Sequence, residues 1–118
     1  MEKYSSAIDL TNQWNNLIIK KDIDGLLELV TDDYERSTVD RIMNGKKELR
    51  EYLEQFFTNY DVVDIVNENK VFIPGPHEIT ISGIWEAKTN DRILIGKWTD
   101  TRVKKGGRWL INKATIDF

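Results

Sequence analysis

The chain has no cysteine among its 118 residues. Disulfides, thiolate metal sites and cysteine nucleophiles are therefore excluded, and the lack fits a reducing compartment. Histidine occurs once, at His77, beside a Pro74-Gly75-Pro76 cluster that also holds both prolines of the chain. One imidazole without a cysteine or second histidine nearby makes no metal-ligand set, so neither a metal nor a cofactor is expected. A surplus of one charge is also lacking: 17 basic and 20 acidic residues give a formal net charge of -3. That balance disfavours nucleic acid and anionic membranes as partners. Lys104, Lys105, Arg108 and Lys113 make only a small basic spot, read as a solvated hairpin. No apolar run approaches the ~20 residues of a membrane span. Met1 to Ser6 carries no charged stretch leading into an apolar core, so no signal peptide is expected and a cytoplasmic location is the default. Nucleophile-elbow and phosphate-loop spacings are missing as well.

What is present suits one domain spanning residues 1–118. Tyr4, Ala7, Ile8, Thr11, Trp14, Leu17 and Ile18 recur at helical spacing and predict an amphipathic helix over residues 4–20. Asp22 is placed to cap a second, short helix containing Leu26, Leu27, Leu29 and Val30, which Thr31-Asp32-Asp33 should end. Tyr34 to Val39 predicts a strand, Asn44-Gly45 a turn, and residues 46–57 a third helix with Leu49, Tyr52, Leu53 and Phe56 on one face. From Tyr60 the period changes to two. Strands are predicted at 61–67, with 70–73 continuing after a kink, then at 78–89, 92–104 and 108–118. Helices first and strands after indicate an α+β fold with a mostly antiparallel sheet.

The strand phase decides which side chains meet. Trp98, Asp100 and Arg102 share one face of their strand, and the expected phase turns them toward the helices. The same phase on the last strand places Asn112, Ala114 and Ile116 inside but turns Trp109 and Ile111 away, a conflict that a β-bulge would resolve. Ile79, Ile81, Trp85, Ile93 and Ile95 are assigned to the outer sheet face, where an apolar patch calls for a partner.

Three segments carry a family likeness: Trp14 to Tyr34 with its Asp22-Ile23-Asp24-Gly25 joint, Asn44 to Arg50, and Trp98-Thr99-Asp100-Thr101 followed by Gly106 to Ile111. In order and spacing they resemble the nuclear transport factor 2-like superfamily, most nearly its small SnoaL-like members. The resemblance implies a curved, mostly antiparallel sheet wrapped around three helices from the N-terminal half. It also implies a cone with an internal pocket, and pairing of two copies through the outer sheet face. Against the ketosteroid isomerase branch, the first-helix hydroxyl position holds Trp14, the base position holds Thr38, and a supporting tyrosine is replaced by Leu53. Asp100 alone has a matching acid. Limonene-epoxide-hydrolase-type chemistry would draw on Asp100, Arg102 and Asp117.

The resulting expectation is a small-molecule pocket protein. Trp14, Tyr34, Thr38, Tyr52, Phe56, Trp98, Arg102 and Asn112 would contact an apolar or aromatic ligand. Asp100 would serve as the acid or base of a cofactor-independent isomerase or hydrolase. The alternative is a non-catalytic, homodimerising or protein-interaction module whose aromatics fill the cavity. An open cavity of several hundred Å³ favours the first.

Overall fold

A computed structural model describes residues 4–117. The elements run α1 (Ser5–Lys20), α2 (Ile23–Glu28), β1 (Val30–Ser37), β2 (Ile42–Asn44), α3 (Gly45–Asn59), β3 (Val62–Pro74), β4 (Glu78–Thr89), β5 (Ile93–Lys105) and β6 (Arg108–Asp117). The strands form one mixed, unclosed sheet in the order β2-β1-β6-β5-β4-β3. Only β1 against β6 is parallel. The fold is α+β, as the pattern predicted. Phe118, at the end of the last predicted strand, lies outside the described residues.

Asp22 caps α2 as expected, its carboxylate accepting from Gly25 N at 3.0 Å. That helix is shorter than its leucines suggested. It stops at Glu28, and Val30 already pairs with Ile111 of β6. Thr31-Asp32-Asp33 therefore opens a strand instead of closing a helix. The reason is non-local: Ile111 N donates to Leu29 O at 2.9 Å, and Leu29 and Val30 are buried in the main core. Residues 42–44, given no element in the sequence beyond the Asn44-Gly45 turn, form the short edge strand β2 against Glu35 to Ser37. The kink expected before Lys70 is a register shift between Asn69 and Val71 inside one continuous strand.

Cross-strand register settles the phase. Ile79 pairs with Arg102, Ile81 with Asp100, Gly83 with Trp98 and Trp85 with Gly96, so all of these face the helices. Ile79 and Ile81 are 0% exposed, which corrects their assignment, and that of Trp85, to the outer face. Of the five residues assigned there, only Ile93 and Ile95 are outside, at 56% and 66% exposure.

The proposed bulge exists. Thr101 pairs with Lys113 and Arg102 with Ile111, leaving Asn112 as the extra residue. One added residue inverts the alternation, so Ala114 and Ile116 on one side of it, and Ile111 and Trp109 on the other, all turn inward. The core divides into a main cluster around Leu26, Tyr34, Leu49 and Leu53 and a smaller one of Ala7, Ile79, Ile81 and Trp98 under the start of α1.

Candidate functional site

Helices and sheet line a half-open cavity of about 130 Å³. α1 supplies Thr11, Trp14, Asn15 and Ile18, β1 supplies Tyr34 and Arg36, and α3 supplies Tyr52 and Phe56. The sheet floor comes from Ile65, Asn67, Trp85, Ala87, Trp98, Asp100, Arg102, Ile111, Ala114 and Ile116, with Val62 at its edge. The wall is mainly apolar and aromatic. Its volume approaches the ~150 Å³ of an apolar cavity that admits benzene, and falls below the several hundred Å³ of a drug-sized site.

Two glycines let the tryptophans lie against the floor. A Cβ on Gly83 would come within 2.9 Å of the Trp98 ring, and one on Gly96 within 2.6 Å of the Trp85 ring. Each glycine is the register partner of the indole that covers it. The sheet thereby accommodates two large rings on one concave face.

Asp100 and Arg102 form a buried pair. Arg102 Nε donates to Asp100 Oδ1 at 2.8 Å and Nη2 to Oδ2 at 3.1 Å. The remaining guanidinium donors turn to α1: Nη1 reaches Ala7 O at 2.7 Å and Ile8 O at 3.3 Å, and Nη2 reaches Thr11 Oγ1 at 2.7 Å. Ala7 is fully buried. Its small side chain lets the helix approach closely enough for its carbonyls to accept these bonds. Arg102 thus fastens α1 to β5, and Asp100 is its counter-ion. Asp117 is exposed at the far end of β6, opposite Lys97, and does not join them. The acid-arginine-acid arrangement is therefore not assembled.

Arg36 differs from Arg102. Its Nη1 donates to Tyr34 Oη at 3.2 Å, while its Nε is sealed from solvent with no acceptor. The guanidinium carbon stands 5.8 Å from the Trp14 ring centre and 5.3 Å from that of Tyr52. Burial works against its charge, and hydrogen bonding to the Tyr34 and Tyr52 oxygens works for it. Burial raises the Tyr34 phenol above its ordinary range, so it stays neutral at physiological pH. Across the cavity, the Asn15 side-chain amide donates to Asn67 Oδ1, joining α1 to β3.

Of the residues singled out in the sequence, Trp14, Tyr34, Tyr52, Phe56, Trp98, Asp100 and Arg102 lie together on the cavity wall. Thr38 does not. β1 ends at Ser37, and the Thr38 hydroxyl closes the following turn on Asp40 Oδ1 at 3.1 Å and Arg41 O at 3.3 Å. Asn112 is also outside the wall, because it is the bulged residue. Arg36 was overlooked although it shares the strand face of Tyr34, two residues away. Thr11, Asn15 and Ile18 were legible in the same manner from their helical spacing to Trp14.

No protein-family model and no curated protein matches the sequence. Solved structures do match in fold. A nuclear transport factor 2-like protein of unknown function from Shewanella oneidensis is 16% identical, with 100% of each chain covered and a TM-score of 0.81. A second of unknown function, from Pseudomonas putida, is 15% identical over 98% of this chain and 86% of its own, with a TM-score of 0.82. A candidate aromatic ring hydroxylase from Novosphingobium aromaticivorans is 18% identical over 96% and 86%, with a TM-score of 0.77. At such identities the likeness is one of fold. The chain has the nuclear transport factor 2-like fold.

Proposed function

We propose that this nuclear transport factor 2-like cone binds a small molecule of single-ring size, with apolar or aromatic character, in its internal cavity. The observation that carries the reading is the cavity of about 130 Å³ walled by Trp14, Tyr52, Phe56, Trp85 and Trp98. Such walls with few polar groups are the usual make-up of a ligand site. Binding without turnover is favoured over acid/base catalysis. Both Asp100 oxygens are held by Arg102, and no second carboxylate lines the cavity among the described residues.

The test is titration with phenol, benzoate and the two-ring 1-naphthol, followed by tryptophan fluorescence, since Trp14, Trp85 and Trp98 border the cavity. At least one single-ring compound should give a saturable change and 1-naphthol none. Ile65→Trp, which fills the space from a half-buried wall position, should abolish the response while the melting temperature is kept. No saturable response to a single-ring compound, or an unchanged response in Ile65→Trp, overturns the reading.

A second reading concerns assembly. Val66, Val71 and Ile73 on β3 and Ile93 and Ile95 on β5 are 44–66% exposed on the outer sheet face. Val66 and Ile95 flank Glu86 in register across three strands. We propose that this face pairs with a second copy about a two-fold axis. Sedimentation equilibrium should find a dimer at micromolar concentration, and Ile95→Glu should convert it to monomer with cavity binding intact. A monomeric wild type refutes the pairing.

A further inference from the structure

We infer that the cavity ligand carries a carboxylate, and that Arg36 is the residue that reads it. The inference rests on the single-ring reading above and adds the charge of the occupant. Three charged residues line the cavity: Arg36, Asp100 and Arg102. Asp100 and Arg102 neutralise each other through two hydrogen bonds, and the other Arg102 donors are taken by α1. Arg36 is left as one positive charge with no carboxylate among its hydrogen-bond partners.

An arginine keeps its proton in proteins, so this charge cannot be relieved by titration. Arg36 is half-buried with its Nε sealed from solvent, and partly desolvating a charge that has no counter-ion carries a cost that a partner of opposite sign usually relieves. The Tyr34 hydroxyl and the faces of Trp14 and Tyr52 offset part of that cost. None of them supplies a negative charge, and the Nε–H remains without an acceptor. A planar anion with two oxygens matches the guanidinium fork, which is the geometry of a carboxylate. Exposed Arg41 lies 5.6 Å from the same Tyr52 ring. The rest of the wall is apolar and aromatic, so the carboxylate is expected on a single ring.

Calorimetric titration of the intact protein with benzoate and benzamide tests this, because the two have nearly the same shape and differ in charge. Benzoate should bind at least about tenfold more tightly, as expected for hydrogen bonds to a charged acceptor. Arg36→Met should erase most of the preference for benzoate over benzamide, read as the ratio of the two affinities within the same variant. Arg36→Lys, which keeps the charge but loses the fork, should fall between. Equal affinities for benzoate and benzamide in the wild type overturn the carboxylate assignment and leave the cavity reading standing. Binding of neither overturns both. Acetate binding as tightly as benzoate overturns the aromatic part.

Discussion

Replacing Arg102 with methionine is expected to lower the unfolding free energy by about 3–5 kcal/mol, the range for breaking a buried ion pair from one side. Arg102 is 1% exposed and Asp100 6%, so the orphaned carboxylate would have almost no access to water. The same change removes the bonds to Ala7 O, Ile8 O and Thr11 Oγ1, and with them the fastening of α1 to the sheet. Asp100→Asn should be milder, about 1–3 kcal/mol, because the amide oxygen still accepts one bond and the guanidinium keeps its three contacts on α1. Replacing both residues by apolar ones of similar volume should recover much of the loss, as it does for other buried pairs. Urea unfolding monitored by circular dichroism measures all three. An Arg102→Met midpoint close to wild type would mean that the pair does not hold the helix.

Gly96→Ala is the second large effect expected. The added Cβ would stand 2.1 Å from Asp117 O and 2.6 Å from the Trp85 ring, both closer than any real carbon contact. Backbone cannot yield as a flexible side chain does, so β5 must move from its neighbours or Trp85 must leave the floor. Overpacking of this kind costs about 1–3 kcal/mol. For a domain of this size, each kcal/mol lowers the melting temperature by roughly 4 °C. Gly75→Ala is the matched control. Its Cβ would meet only the flexible Glu78 side chain at 3.3 Å and a carbonyl at 3.5 Å, and a small change of either sign is expected. Differential scanning calorimetry should give a much larger fall for Gly96→Ala. Similar melting temperatures for the two would show that the sheet tolerates a side chain beneath Trp85.

The sequence by itself determined the α+β order, the Asp22 cap, the inward side of α1 apart from its buried Leu10, and the shared face of Trp98, Asp100 and Arg102. All of these follow from local spacing: 3.6 residues per helical turn and two per strand repeat. Even the bulge in β6 was legible, as a conflict between the Asn112-Ala114-Ile116 phase and the apolar Trp109 and Ile111. Only the tertiary structure decided where β1 begins, because Val30 joins the sheet by pairing with Ile111, 81 positions further on. Tertiary structure also turned Ile79 and Ile81 inward, through register with Asp100 and Arg102. The sharpest division concerns the two cavity arginines. Spacing placed Arg102 two residues from an acid and Arg36 two from a tyrosine. Which charge is neutralised and which is left without a counter-ion depends on groups brought from distant segments, and periodicity carries no information about them.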